Sequence, residues 1–450
     1  MDSLQRLESG ESLLPQEKTL CEYLEYVCNS FDHPVVARLA GGWVRDKLID
    51  KESKDYDVTL EGCTGVEFAN NLCTYLESKS IEHRVIRNPD QSKHLSSAKV
   101  CLFGEVWIDF SSLRSEKYKE DSRIPIVEEG TPLQDAERRD FTINTLYYNI
   151  CTKKVEDFFN GYQDLQNKIL RTPKDSLVSF QEDPLRILRA LRFASRFNLT
   201  YEESIPNAIE QCRDVYLHKV TPERAAAEIS PALLGPDPIR YIKDSMKFGF
   251  FQIMFNRSKE LELDNDVVIK RVTFALSHLH KEYQLQLILG AIYFDEFGKG
   301  MLQSKKYGRK CDQVEKIISR VLRMTVQICD GARQLMNGAD QLSKIKNLNN
   351  IEVGRAIRQS GELWRISTSL IFDEDTYNFV VNDVTQYANE HNLSNAYEIK
   401  PLLNGNELSK IYGVKGADLK PFQESMIDWQ LEHPQGTKED CLQFIESSKK

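Results

Sequence analysis

The stretch Leu39-Ala40-Gly41-Gly42-Trp43-Val44-Arg45-Asp46, followed after a short spacer by Lys54-Asp55-Tyr56-Asp57-Val58, decides how this chain is read. The apolar residues before Gly41 spell a strand over 35–40. The glycine pair breaks it, residues 43–49 suit a helix, and residues 56–60 resume strand character. Where a glycine turn opens a helix, backbone N–H groups can face a phosphate. Gly41 and Gly42 are therefore candidates to hold a triphosphate, with Arg45 about one turn further on as a cation for the same group. Asp55 and Asp57 stand two apart, so on a strand both carboxylates point to one face. Two such anions repel unless they share a cation, and an all-oxygen ligand set suits Mg2+. Asp109, on a second expected strand over 106–110, is a candidate third carboxylate. Taken singly, a glycine pair is an ordinary strand–helix turn and Asp-x-Asp an ordinary solvated strand end. Their close succession favours the chemical reading.

Outward from this stretch, residues 66–78 read as a helix and 82–87 as a strand, and 98–103 with 106–110 read as a hairpin turning at Gly104-Glu105. Strands mixed with helices over roughly the first 150 residues make an α/β or α+β head. From residue 179 the texture changes. Residues 182–197 form a strong helix pattern, and helical segments dominate to the end. Thr221-Pro222-Glu223-Arg224 is a helix start, with Thr as cap and Pro at the first helical position. Residues 343–350 are polar and suit a linker between helical modules. Pro401 to Gly405 suits a turn before another helix.

At 450 residues the chain exceeds one ordinary core, so several domains or subdomains are expected. No apolar run is long enough to span a bilayer, which excludes an integral membrane reading by helices. The first residues resemble neither a secretory signal nor an Arg-rich transit peptide. The expected location is cytoplasmic or nuclear, with a mitochondrial share left open. Ten cysteines without a Cys-x-x-Cys pair are expected to be reduced thiols in apolar surroundings rather than disulfides or zinc ligands. The net charge of −9 argues against non-specific coating of nucleic acid. A local basic groove is still available, because residues 171–197 carry six Lys/Arg against three Asp/Glu.

Gly41-Gly42-Trp43-Val44-Arg45-Asp46 and Asp55-Tyr56-Asp57 together resemble the signature of the tRNA nucleotidyltransferase branch of the polymerase-β-like superfamily. Further matches follow in the order of the class II CCA-adding enzymes of eukaryotic type. Residues 135–146 resemble their Arg-Arg-Asp ribose motif and residues 157–165 their hinge element. Glu182-Asp183-Pro184-Leu185-Arg186 resembles their amino-acid template, and residues 221–228 resemble the helix that supports it. The resemblance implies an α+β architecture: a mixed-sheet nucleotidyltransferase head over 1–178, then an all-α neck (179–258), body (259–345) and tail (346–450). It further implies Mg2+ as cofactor and CTP, ATP and the 3′ acceptor end of tRNA as partners. Residues 115–130, charged and without clean periodicity, would be a loop beside the site used in switching to the final A.

The template also follows from hydrogen-bond chemistry. Glu182, Asp183 and Arg186 open the expected helix, with Arg186 on the face of the two acids. An aspartate accepts from an exocyclic amine and an arginine donates to a ring nitrogen. Cytosine and adenine both present an amine beside an acceptor, whereas uracil and guanine present the reverse. One Asp/Arg pair can therefore admit C and A. A wrong base leaves polar groups unpaired, at ~1–3 kcal/mol each. Arg189 and Arg192 continue the helix toward the triphosphate or primer. Arg139 and Asp140 suit a ribose 2′-OH, which both donates and accepts.

The activity expected is template-independent addition of CCA to tRNA. Departures from the family pattern at Ser111-Ser112 and Glu129 flank the loop and keep open a partial enzyme adding only CC or only A. A poly(A) polymerase with a similar head, and a non-catalytic tRNA-binding protein, are the other readings. The intact carboxylate pair speaks against the last.

Overall fold

In the computed structural model, which describes residues 2–88, 97–117, 126–256, 261–299, 302–303, 310–413 and 416–447, the decisive stretch forms two neighbouring strands. They are β1 (Val36–Ala40) and β2 (Tyr56–Glu61), joined through helix Gly42–Leu48. Tyr56, Val58 and Leu60 are buried while Asp57 is exposed, the pattern of a strand with one polar position left open. Asp55 lies just before the strand rather than on it.

The sheet continues with β3 (His83–Asn88), β4 (Ser97–Leu102) and β5 (Val106–Ser112). Next come β6 (Arg114–Lys117) and β7 (Ile126–Glu129), a separate antiparallel hairpin, and then β8 (Tyr147–Asn149) and β9 (Lys154–Glu156). Seven strands form one mixed sheet in the order β3-β4-β5-β2-β1-β8-β9. Within it β2 and β5 are parallel and the other neighbours antiparallel. The expected hairpin is present. Phe103 and Gly104 both take positive φ, 54° and 80°, which suits a tight β4–β5 turn.

The helices of this part are α1 (Ser3–Glu8), α2 (Pro15–Cys28), α3 (Gly42–Leu48), α4 (Gly65–Ser78), α5 (Pro132–Glu137), α6 (Gly161–Gln166), α7 (Ser176–Glu182) and α8 (Leu185–Phe197). α4 buries Phe68, Ala69, Leu72 and Leu76, with the Phe68 and Phe110 rings 5.3 Å apart. Each such Leu or Phe contributes ~1.5–3 kcal/mol by leaving water. α2 steadies α3 through one buried carboxylate. Glu17 accepts from Trp43 Nε1 at 3.1 Å and pairs with Lys47 at 2.5 Å.

Residues 157–165 form a capped turn. Asp157 accepts from the N–H groups of Gly161 and Tyr162 at 2.8 and 3.0 Å. A Cβ at Gly161 would lie 2.1 Å from the Thr142 carbonyl oxygen, so only glycine fits that approach. The stretch 115–130 departs from the expectation of an irregular loop, because its ends pair as β6 and β7. Its centre, residues 118–125, lies outside the described residues.

Residues Met1–Thr221 make one compact unit and Pro222–Lys450 a second. Among its described residues the second unit is helical apart from the two-residue strands Leu302–Gln303 and Lys310–Cys311. Helix Pro222–Leu233 starts at the proline, as its sequence requires. The expected linker over 343–350 is instead a pinned turn between helices Val326–Leu342 and Asn350–Ser360. There Glu352 accepts from the N–H groups of Lys346 and Asn347 at 3.1 and 3.0 Å. The turn from Pro401 leads, as expected, into a helix, Gly405–Tyr412, which Asn404 caps. Trp429 joins the terminal core with Leu403, Leu408 and Met426.

Candidate active site

Gly41 takes φ +60°, ψ −114°, a conformation that side chains other than glycine's avoid. A Cβ there would meet Arg139 Nη1 at 2.7 Å. The guanidinium of Arg139 therefore lies directly over the glycine turn, donating to the Asn144 carbonyl at 3.2 Å. Gly42 follows as the first helical residue of α3.

The carboxylates gather through strand register. Asp57 on β2 stands opposite Asp109 on β5, and Lys99 on β4 stands opposite Asp109. Lys99 Nζ donates to Asp109 Oδ2 at 2.8 Å. Desolvation by the surrounding protein raises the Asp57 carboxyl above its ordinary value. Asp109 and Asp55 raise it further, against Arg139 and Lys99. That is the electrostatic mark of a site with excess negative charge. Lys99 is raised by its bond to Asp109, and it also feels Asp57 and Asp55. Among the described residues it is a cation bonded directly to this carboxylate group, outside the motifs quoted above. The hairpin made it legible, since a turn that sets Leu102 opposite Val106 also sets Lys99 opposite Asp109.

Arg139 is held by a buried platform. Asp135 is 0% exposed and accepts from Arg138 Nε at 2.9 Å, Arg139 Nη2 at 3.1 Å and Tyr147 Oη at 2.6 Å. Burial would raise the Asp135 carboxyl, but Arg139 and Arg138 override it and hold it below its ordinary value. The Arg139 guanidinium also lies 4.9 Å from the Tyr147 ring centre.

Three expectations are corrected here. Arg45 does not project as a free cation. It is 5% exposed, donates to Asp46 Oδ1 at 2.8 Å and Asn144 Oδ1 at 2.5 Å, and rests 4.6 Å from the Phe197 ring centre. A basic residue on a short helix points inward when a partner carboxylate and aromatic rings wait beneath it, and spacing alone does not reveal this. Asp140 is likewise turned in. One of its oxygens accepts from Phe141 N–H and Asn144 Nδ2 at 2.8 and 2.9 Å, and the other takes Arg189 Nε and Nη2, both at 2.7 Å. A carboxylate has about four acceptor positions, and in this structure those of Asp140 are taken by internal donors, Arg189 among them. Burial opposes its ionisation, yet Arg189 keeps its carboxyl below the ordinary range.

The third correction concerns the template segment. Glu182 ends α7 and Asp183 sits extended at φ −134°, ψ 94°, so the two acids do not open α8. Pro184 is the reason, because the residue before a proline is driven out of the helical region. Asp183 is half-buried, with one oxygen accepting from Leu185 N–H at 3.2 Å. Arg186 is buried, donating to Ser179 Oγ at 2.8 Å and to the Arg138 carbonyl at 2.5 Å. Through that last bond the template segment touches the Arg138–Arg139 platform. Arg192 is half-buried beside Phe193 at 4.4 Å from its ring centre.

Residues 37–171 match the family model described as the poly A polymerase head domain. A tRNA nucleotidyltransferase, cca2, of Schizosaccharomyces pombe is 37% identical over 92% of this chain and 92% of its own length. The chain belongs to the tRNA nucleotidyltransferase family. A mitochondrial CCA tRNA nucleotidyltransferase of Candida glabrata is 31% identical over 97% of this chain and 96% of its own. Among solved structures, an apo CCA-adding enzyme matches the fold with a TM-score of 0.71 at 20% identity, covering 100% of this chain and 99% of that one.

Membership of the tRNA nucleotidyltransferase family implies use of a divalent cation. The residues present fit one. Asp57 and Asp109 stand opposite each other on parallel strands with Asp55 adjacent, and burial first, then the neighbouring carboxylates, raise Asp57. Among the described residues no three His, Cys, Asp or Glu come together as a metal-binding group, so these carboxylates alone do not complete a coordination shell. A few carboxylates completed by substrate phosphates can hold a hard divalent cation. No helix among the described residues is long and apolar enough to cross a membrane.

Proposed function

We propose that this chain extends the 3′ end of tRNA by C, C and A, using CTP and ATP and releasing pyrophosphate. The reading rests on the Asp57–Asp109 pairing beside the Gly41 turn, in a chain that matches CCA tRNA nucleotidyltransferases over nearly its whole length. Asp55 and Asp57, with Asp109 beside them, would hold Mg2+. Held by these carboxylates, two such ions would supply a lowered pKa to the attacking 3′-hydroxyl and charge stabilisation to the pyrophosphate leaving group. The N–H of Gly42 faces the triphosphate, the Gly41 N–H being already donated to the Leu146 carbonyl at 2.9 Å, and Arg139 over the glycine turn meets the ribose. Asp183 and Arg186 read the amine-beside-acceptor edge that C and A share, with Arg186 exchanging its internal partners for the base. Arg189 and Arg192 face the primer or the triphosphate. Arg45 and Asp140 lock α3 and α8 behind them.

The division into head (1–178), neck (179–258), body (259–345) and tail (346–450) belongs to the same proposal, with the helical parts gripping the acceptor arm by shape and backbone charge. So does a cytoplasmic or nuclear location with a mitochondrial share.

The test is to incubate the protein with tRNA lacking CCA and with CTP alone, ATP alone, or both. The expected product with both is a complete CCA end. A product that stops at CC, or an A added only to a CC end, would restrict the enzyme to partial synthesis. Long A-tails made regardless of CTP would mark a poly(A) polymerase. Full incorporation by Asp55→Ala would remove the metal role.

A further inference from the structure

Two cysteines of the N-terminal unit touch. Cys28 ends α2 and Cys151 lies in the turn from β8 to β9. Their thiols are hydrogen-bonded to each other, and both lie against the backbone N–H of Ala37 on β1. The fold holds both partners in place. The N–H groups of Cys151 and Thr152 each donate to Asn149 Oδ1 at 3.0 Å, and Ile150 N–H donates to the Ala37 carbonyl at 3.0 Å. α2, which ends at Cys28, packs against β1.

The pair is asymmetric. Cys28 is 4% exposed whereas Cys151 is exposed. The hydrogen bond from Cys28 leads in bringing the Cys151 thiol down to about 7. Burial and Glu25 oppose this, and the Ala37 N–H and Arg38 assist it. The same bond, then burial, pushes Cys28 up. Cys151 is thus the accessible thiolate and Cys28 the sheltered partner, an arrangement in which one thiol reacts and the other resolves. The expectation of inert, reduced cysteines suits buried Cys212 and Cys329, whose thiols burial pushes up to about 11 and 12. It does not suit this pair.

We propose that Cys28 and Cys151 form a reversible dithiol–disulfide site, closed by peroxides and reopened by low-molecular-weight thiols. The Cys151 thiolate attacks one oxygen of hydrogen peroxide. A sulfur–oxygen bond forms, the oxygen–oxygen bond breaks, and the departing hydroxide takes a proton to become water. Cys28 sulfur then displaces the sulfenic hydroxyl, which leaves with the Cys28 proton as a second water. Two thiols lose two electrons and two protons in all, and one peroxide becomes two waters. Two thiols of the reducing class reverse the change by successive exchange. The site lies at the Ala37 end of β1 while Gly41 follows the other end, about 13 Å along the strand at ~3.3 Å per residue.

The experiment treats the full-length protein with equimolar hydrogen peroxide, alkylates free thiols, and maps the non-reduced digest by mass spectrometry. The expected result is a Cys28–Cys151 linked peptide that dithiothreitol removes and that Cys21→Ser retains. In Cys28→Ser, the expected species is Cys151 sulfenic acid, trapped by dimedone. In Cys151→Ser, Cys28 is expected to carry no dimedone. Iodoacetamide at pH 7 is expected to label Cys151 at least tenfold faster than Cys28. Circular dichroism matching the wild type qualifies each variant. A dominant linkage to any other cysteine would overturn the proposal. So would dimedone on Cys28 in Cys151→Ser, or wild-type Cys151 passing to the sulfinic acid without a linked peptide.

Discussion

Replacing Asp135 by asparagine keeps the shape of the side chain and removes the charge on which the Arg138–Arg139 platform rests. Asp135 is fully buried, and the two arginine side chains it serves are 17% and 18% exposed. A unit ion pair about 4 Å apart at an effective dielectric near 20 is worth roughly 4 kcal/mol before desolvation. Removing one partner of a buried pair costs ~3–5 kcal/mol, because the remaining charge stays out of water. The amide oxygen of Asp135→Asn can still accept from one arginine or from Tyr147, so the lower end applies, ~3 kcal/mol. That corresponds to a roughly 100-fold shift in an opening equilibrium.

Hydrogen–deuterium exchange of peptides covering α5 and β8 reads this shift locally. The sign with pH follows from the carboxyl. Its folded-state pKa is depressed below the ordinary 3.8, so it contributes stability above that value and loses it as pH falls through the folded one. The difference between wild type and Asp135→Asn should therefore be full at neutral pH and shrink below about pH 4. Equal protection of the two proteins at pH 7, or a gap unchanged at pH 3, would refute the reasoning.

Other outcomes follow from single contacts. Gly161→Ala should lower the melting temperature of the N-terminal unit, costing ~1–3 kcal/mol, because its Cβ meets the Thr142 carbonyl oxygen at 2.1 Å; calorimetry checks it. Asp109→Asn should raise the Mg2+ concentration giving half-maximal tRNA extension, and an unchanged Mg2+ titration would remove Asp109 from the metal site. Lys99→Met should shift the same titration to lower Mg2+, by no more than about fivefold, since a half-exposed ion pair is worth ~1 kcal/mol or less. Asp183→Ala should fold normally yet admit UTP and GTP, with discrimination falling roughly tenfold to a hundredfold for ~1–3 kcal/mol of lost pairing; competition assays with mixed nucleotides measure it.

Sequence patterns reveal what a residue faces better than whom it meets. The strand–turn–helix–strand of residues 39–57 was legible because alternation and glycine act locally. Asp57 and Asp109 were legible for the same reason, each lying at an outward position of its strand. The inward turn of Arg45 and Asp140 has no local sign, because Phe197 and Asn144 reach Arg45, and Arg189 reaches Asp140, from distant segments. Asp135 and Tyr147 went unremarked although they fix Arg139, since a buried acid beside two arginines looks like surface charge until the fold closes over it. The helix expected over 182–197 begins at Leu185, because Pro184 overrides the apolar spacing at its start. The contact of the two cysteines is a product of strand pairing and had no local sign at all.

The bend at Pro184 has a mechanical consequence. Proline offers no N–H to the preceding turn, and its ring excludes the residue before it from helical angles. α7 and α8 therefore cannot fuse into one straight rod, whichever nucleotide is present. Asp183 is held at this elbow, while Arg186 rides on the arm beyond it. A pyrimidine and a purine differ in reach, and under the proposed base-reading role an elbow between acceptor and donor would let the one follow that difference without moving the other.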